Sequence, residues 1–284
     1  MRSTVSGRDV VPVWEIVTPA RPGRVPGIGM AGFRDRSTGP IDLPVVPYPA
    51  LTLVLEFGDS RLAVAGTAGR QRGSLVAGLA PGPLRVQGLN IECLQVRLSP
   101  VVARAVLGVS PAELAHSVVS LDELWGREAA RLQERLAAAS CWLERFALTE
   151  AQLVRRYEAG RPVDPEIAWA WRRIHAGHGS TRVDELAAAT GWSRKRLWAR
   201  FHTQLGLPPK SAAKLIRFDH AAHRLAAGQS AARVAADSGY TDQSHLHRDV
   251  LSFTGVTPAT VAAEPWLAVD GPAWPGTFVQ DQHW

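Results

Sequence analysis

The spacing of apolar positions changes from one half of the chain to the other. In the front half, short apolar or alternating segments run over Leu51–Phe57, Arg61–Ala65, Arg72–Ala80 and Leu84–Leu98. Gly, Asp and Pro separate them, which is the pattern of strands and turns. The run V-V-P-V-W-E-I-V from Val10 is a further candidate strand. From Pro19 to Gly32 the density of proline argues for a loop. These positions predict a small antiparallel sandwich or barrel from about 10 to 98.

After Ser99-Pro100 the period becomes helical. One helix spans Val101 to Leu107 and stops at Gly108. Ser110-Pro111-Ala112-Glu113 has capping spacing and predicts a short helix. Ser120-Leu121-Asp122-Glu123 is a second cap, leading to a long helix from Trp125 to Ala139, and another helix runs from Cys141 to Glu158. Gly160-Arg161-Pro162 marks a boundary, and Pro165 stands where a helix start tolerates proline.

Beyond that boundary one pattern is written twice. The first copy, from Leu186, reads L-A-A-A-T-G-W-S-R-K-R-L-W-A-R-F-H-T-Q-L-G-L-P-P. The second, from Val234, reads V-A-A-D-S-G-Y-T-D-Q-S-H-L-H-R-D-V-L-S-F-T-G-V-T-P. Gly191-Trp192 corresponds to Gly239-Tyr240, and Leu197, Phe201, Gly206 and Pro209 correspond to Leu246, Val250, Gly255 and Pro258. Such self-similarity outranks any local propensity as a guide to architecture. In each copy a short Ala-rich helix (Asp184 to Thr190; Ala231 to Ser238) ends at a glycine able to adopt the left-handed conformation. Ser193 or Asp242 then caps a second helix, in which Leu197 and Phe201, or Leu246 and Val250, lie four apart and face inward. The opposite face carries Ser193, Arg194, Lys195, Trp198 and Ala199 in one copy, and Gln243, Ser244, His247 and Arg248 in the other. Helix, glycine turn and polar-faced helix form the helix-turn-helix pattern, whose second helix enters the DNA major groove. Between the copies, Pro209 to Ala227 predicts a stiff connecting helix bearing Lys210, Lys214, Arg217 and Arg224. A rigid spacer suits two helices that enter successive groove segments about 34 Å apart.

These residues carry a family resemblance. Residues 183–263 resemble the DNA-binding domain of AraC/XylS-type transcription regulators, through L-A-x-x-x-G-W-S-x-x-x-L, G-L-P-P-K-S, R-F-x-x-A, G-Y-x-D-Q-S-H-L-x-R and T-G-V-T-P. The resemblance implies seven helices, with DNA read from the outer faces of the third and sixth. Two positions depart from it: Ala199 stands where arginine is common, beside Arg200, and Val250 stands where phenylalanine is usual. Residues 41–158 resemble, less specifically, a β-rich N-terminal domain of actinobacterial regulators, through R-L-S-P-x-x-A-x-x-x-L-G-V-S-P-A-E-L and L-D-E-L-W-G. This implies a sensing or dimerising module and no particular chemistry.

Charge supports the division. The formal net charge is +6, and residues 161–265 hold 14 Lys+Arg against 9 Asp+Glu, so the repeat carries most of the excess that phosphate neutralisation requires. Within it, arginine and lysine can address guanine and glutamine can address adenine, which makes Gln243 and Arg248 the leading contacts of the second unit. His245 is expected to turn partly inward, and Arg217 to pair with an internal acid. No apolar run approaches the roughly 20 residues that span a bilayer, and the N-terminus lacks a signal-type apolar core.

Other chemistry is weakly supported. His175/His178 and His220/His223 have spacings a metal can use but no suitable further ligand, so no metal and no cofactor are expected. The β-rich half contains no histidine before residue 98, and no nucleophile or phosphate-binding motif stands at a strand–helix junction; Gly27-Ile28-Gly29 falls in the proline-rich loop. An enzyme is therefore not expected. Cys93 and Cys141 suit neither a disulfide framework nor zinc and are read as buried thiols. Trp125, Trp142, Trp169 and Trp171 are read chiefly as core, while Trp266, Trp274 and Trp284 belong to a surface tail.

The sequence thus predicts an α+β protein. An N-terminal antiparallel β-sandwich or barrel with flanking helices (1–160) precedes an all-α domain with two helix-turn-helix units (161–265) and a tail (266–284). The expected function is a cytoplasmic, nucleoid-associated, sequence-specific transcription regulator. Its expected partners are double-stranded DNA, a small-molecule effector of unknown identity, RNA polymerase and a second copy in a homodimer, with no membrane. The alternative is the same DNA-binding module joined to a purely structural dimerisation domain.

Overall fold

The structure, a computed structural model, describes residues 14–264 apart from 38, 67, 68, 80 and 81, together with 267, 270, 271, 273 and 274. Among the described residues the front half contains ten antiparallel strands in two sheets. In chain order they are β1 (Trp14–Val17), β2 (Ile28–Asp35), β3 (Ile41–Val45), β4 (Leu51–Glu56), β5 (Arg61–Gly66), β6 (Gly69–Arg72), β7 (Leu75–Ala77), β8 (Leu84–Leu89), β9 (Glu92–Leu98) and β10 (Val118–Ser120). One sheet has the order β1-β2-β9-β4-β7-β10 and the other β3-β8-β5-β6. Two of the expected long strands are therefore pairs that cross between sheets. Arg72–Ala80 divides into the end of β6 and β7, and Leu84–Leu98 divides into β8 and β9 around Asn90, whose φ of 51° lies in a region asparagine tolerates.

The expected loop at Pro19–Gly32 is overturned in its second part. β2 begins at Ile28 and pairs along its length with β9, from Ile28↔Leu98 to Arg34↔Glu92. Proline density misled because the prolines all precede the strand, and the glycines within it serve packing. A Cβ on Gly32 would lie 2.4 Å from the Trp142 ring, so the indole covers the strand only because no side chain is there. Gly27-Ile28-Gly29 thus opens a strand buried in the sheet. β3 contains Pro44 but lies on a sheet edge, where a missing N–H is tolerated.

The helices are α1 (Pro100–Leu107), α2 (Leu121–Trp125), α3 (Arg127–Ala138), α4 (Trp142–Ala159), α5 (Pro165–Ala176), α6 (Val183–Thr190), α7 (Arg194–Leu205), α8 (Pro209–Ala226), α9 (Ala231–Asp237), α10 (Gln243–Thr254) and α11 (Pro258–Ala262). Two corrections belong here. Ser110 does cap, with the Ala112 amide donating to its Oγ at 3.2 Å, yet 111–116 forms turns and no helix, because His116 leaves in a left-handed conformation. The long helix expected from Trp125 is broken at Gly126, whose φ of 52° and ψ of −129° end α2 and restart the chain as α3.

Of the two thiols, Cys93 is buried and its pKa is pushed up to about 12 by burial; Cys141 is exposed before α4, contrary to expectation. Trp125 and Trp171 are buried, with the Arg156 guanidinium 4.5 Å over the Trp125 ring. Trp274 is also buried, against Phe33, so the tail is not wholly a surface feature; Trp266 and Trp284 lie outside the described residues.

The apolar cores follow an uneven partition. Phe201, Leu197, Leu186, Trp171 and Ile174 form a separate cluster drawn chiefly from α5–α8, with Val101 of α1 packed against it. Leu246, Val250 and Val234 of the second repeat instead belong to one continuous cluster with Leu53, Leu94 and Val96 of the β-sheet. The two units are alike in sequence but rest on different surroundings. Among the described residues, no helix is long and apolar enough to cross a membrane.

Candidate nucleic-acid interface

The first unit is built by local chemistry. α6 ends at Gly191 with φ +67°, and the Trp192 amide reaches back to the Ala187 carbonyl at 3.1 Å. This closes the helix in the manner that glycine permits. Ser193 then accepts from the Arg196 amide at 3.2 Å and starts α7. Leu197 and Phe201 are wholly buried, as their four-residue spacing requires. Ser193, Arg194, Lys195, Trp198 and Ala199 are all exposed on the far side. Trp198, 51% exposed, stacks on His202 at 5.2 Å. Arg194 reaches Asp184 at 3.0 Å; both side chains are well exposed, so the pair is weak and phosphate can compete for the arginine.

Two neighbouring arginines serve other ends. Arg196 lies over the Trp192 ring at 4.5 Å and holds the turn. Arg200 pairs with Asp164 at 3.1 Å, so it does not stand in for the arginine missing at Ala199. Gln204 completes the joint: it accepts from the Asp164 amide at 2.7 Å and donates to the Asp164 carboxylate at 2.8 Å. The spacing pattern gives no hint of this Gln204–Asp164 lock, which joins residues 40 apart.

The second unit repeats the construction. Asp242 accepts from the His245 amide at 2.7 Å, and Leu246 and Val250 are wholly buried. Gln243, Ser244, His247 and Arg248 are exposed on one side of α10. Arg248 Nε meets only its own helix, at the Ser244 carbonyl, 3.3 Å away. His245 turns partly inward as expected, edge-on to Tyr240 at 5.1 Å.

The residue that fixes α10 was not singled out by sequence. Asp249, itself buried, meets Lys214 at 3.2 Å and Arg217 at 3.6 Å, both from α8. Arg217 therefore has the internal acid expected for it, and also covers the Tyr240 ring at 4.8 Å. Tyr240 itself is pushed up to about 12, by burial first and by Asp249 second. α8 thus holds α10 by charge.

The histidine pairs are separated by the fold. His178 stacks on His220 at 4.3 Å, while His223 bonds the Asp219 carbonyl and the Asp270 carboxylate. Among the described residues, no group of three or more His, Cys, Asp or Glu is placed to hold a metal ion.

Comparison with known proteins agrees with this geometry over the repeat. Residues 186–264 match the family model described as a helix-turn-helix domain. Solved structures with a similar fold include ToxT from Vibrio cholerae O395 bound to (E)-4-(8-methylnaphthalen-1-yl)but-3-enoic acid, at 10% identity and a TM-score of 0.47, over 83% of this chain and 98% of that one. The C-terminal domain of AraT, a response regulator from Geobacillus stearothermophilus, is 19% identical with a TM-score of 0.34, over 35% and 85%. The AraC-like transcriptional activator CuxR is 13% identical with a TM-score of 0.31, over 66% and 80%. No curated protein matches the chain. The segment from 186 to 264 is a helix-turn-helix domain.

Proposed function

We propose that this chain is a sequence-specific transcription regulator that reads two successive major-groove segments with α7 and α10. The observation that carries the proposal is the shared construction of the two units. Each has a capped helix with its apolar side wholly buried and a set of exposed polar residues opposite, and both adjoin α8. Phosphate contacts from Arg194, Lys195 and Lys210 give position and salt-dependent affinity, while Gln243 and Arg248 give base discrimination. Footprinting of the purified protein on DNA upstream of its own gene tests this. Two protected segments about one helical turn apart are expected; a single segment, or uniform coating, sinks the two-helix account.

The β-rich half modulates that reading in the same proposal. A cavity of about 70 Å³, part of it open to solvent, lies between the two sheets and is lined largely by apolar side chains. Its apolar lining and opening to solvent favour a modulating role over a purely structural dimerisation domain. The apolar cluster shared by the sheet and the second unit offers a route for coupling.

A further inference from the structure

The smaller sheet, β3-β8-β5-β6, has two unlike faces. Successive side chains of a strand point to opposite faces, and residues directly opposite on paired strands share one. Leu62, Val64, Leu84 and Val86 are buried on the inner face, in one cluster with Phe33 and Leu75 of the larger sheet. On the outer face the register sets Arg70, Ala65 and Arg85 in one row. Arg72, Ala63, Gln87 and Asp42 form the next, and Arg61 opens a third. All four arginines are exposed. Among the described residues this face has one ion pair, from Arg85 Nε to Asp42 Oδ1 at 2.7 Å, and Arg61, Arg70 and Arg72 have none. The Arg85 bond, with smaller contributions from Gln87 and Arg70, holds the Asp42 carboxyl below its ordinary range.

Strand geometry spaces these cations regularly. At about 3.3 Å per residue and about 4.8 Å between strands, Arg70 lies roughly 7 Å from Arg72 and roughly 10 Å from Arg85 at the backbone. The alanines between them leave the face shallow, so a broad partner can reach several guanidiniums at once. Leu89, 36% exposed, is the one large apolar side chain exposed on this face among the described residues, which is too little to anchor it in lipid or to form the apolar centre of a protein interface. The face also adjoins the second unit. A Cβ on Gly255, at the end of α10, would lie 3.7 Å from the Pro83 ring, two residues before Arg85. The charge of Arg85 also reaches Glu264, just beyond α11. α10 has 12 residues and is about 18 Å long, so the near edge of the face is within about one helix length of Gln243.

We infer that this arginine face is a further DNA contact of the front half, holding the phosphates of the duplex that flanks the segment read by α10. Guanidiniums engage phosphate oxygens through paired N–H groups and carry no base preference, so the face adds affinity and leaves sequence choice to the helices. A duplex already held by α10 presents its backbone anions here at high effective concentration, an advantage no separate acidic partner has. Asp42 is the one opposing charge on the face and tempers its hold. The inference rests on the groove-reading proposal only for which stretch of duplex lies against the face.

The test is fluorescence anisotropy of the full chain on three duplexes over a range of salt. A short duplex ends at the footprinted segments, a long one continues about two helical turns past the second unit, and the third is a random sequence of the long length. The combined variant R61Q/R70Q/R72Q is expected to lower the salt slope by about 2–3 on both long duplexes, with at least about tenfold weaker binding there. On the short duplex it is expected to stay within about twofold of the unsubstituted chain. D42N is expected to bind the long duplexes about threefold more tightly or better, a gain that no folding defect can produce. An unchanged slope on the long duplexes overturns the proposal, as does an equal loss on the short one or a D42N chain that binds no more tightly. Binding to phosphatidylglycerol vesicles that the combined variant loses, with all three duplexes bound as before, assigns the face to lipid and also overturns it. A failed footprint with the slope change intact on random DNA keeps the face and removes the groove-reading account. A sound footprint with no slope change does the reverse.

Discussion

Asp249 and Arg248 are adjacent in sequence and opposite in consequence. Asp249 points into the protein and satisfies Lys214 and Arg217, whereas Arg248 points out and meets only a carbonyl of its own helix. Asp249→Ala leaves two cations of α8 without their acid. It is expected to destabilise the chain by about 1–3 kcal/mol in urea unfolding, toward the lower end because Lys214 is partly exposed. Arg248→Ala is expected to leave stability within about 0.5 kcal/mol and to relax base preference in one half of the protected site. Lys210, exposed at the start of α8, supplies the contrast. Its alanine variant is expected to weaken all DNA sequences alike and to lower the salt slope of binding by about one. Equal losses on specific and random DNA for both variants would count against the assigned roles.

At the scale of elements, the turns explain more than the helices do. Gly191 and Gly206 both hold positive φ, at +67° and +86°, but their surroundings differ. A Cβ on Gly191 would enter open space, while one on Gly206 would lie 2.6 Å from the Pro111 carbonyl oxygen. Gly191→Ala should therefore cost only the left-handed backbone, about 1–2 kcal/mol. Gly206→Ala should cost clearly more, because the backbone of the front half must also move aside. Equal unfolding free energies for the two variants would show that the 110–112 loop gives way freely. That contact fits the Ser110 hydroxyl's bond to the Thr203 carbonyl at 2.5 Å, which ties the same loop to the end of α7.

Across the whole molecule, the Arg97–Asp270–His223 chain joins parts that are far apart in sequence. The hydrogen bond His223 donates to Asp270, set against burial and aided by Asp219, raises His223 from 6.5 to about 9. A histidine raised in the folded state contributes stability in full below pH 6.5 and loses it as pH rises through about 9. Asp219, raised to about 6 by burial, acts over a lower window, near pH 4–6, where rising pH also costs stability. The thermal midpoint is therefore expected to fall between pH 6.5 and 9. H223Q should flatten that slope and leave the lower one. An unchanged slope in H223Q would place the titration elsewhere.

The sequence by itself determined the helix-turn-helix units, because everything that builds them is local. A left-handed glycine, a Ser or Asp cap and apolar residues four apart lie within about twenty residues of each other. The inward turn of His245 could be anticipated from the same spacing. What only the tertiary structure decided rests on partners distant in the chain. β2 is a strand because β9 supplies its hydrogen bonds and Trp142 fills the space over Gly32, neither of which proline density reveals. Trp274 is buried and Asp270 charged because Arg97, 173 residues before that aspartate, needs both an aromatic cover and an anion. Pairing of that kind has no period, so no pattern along the chain announces it.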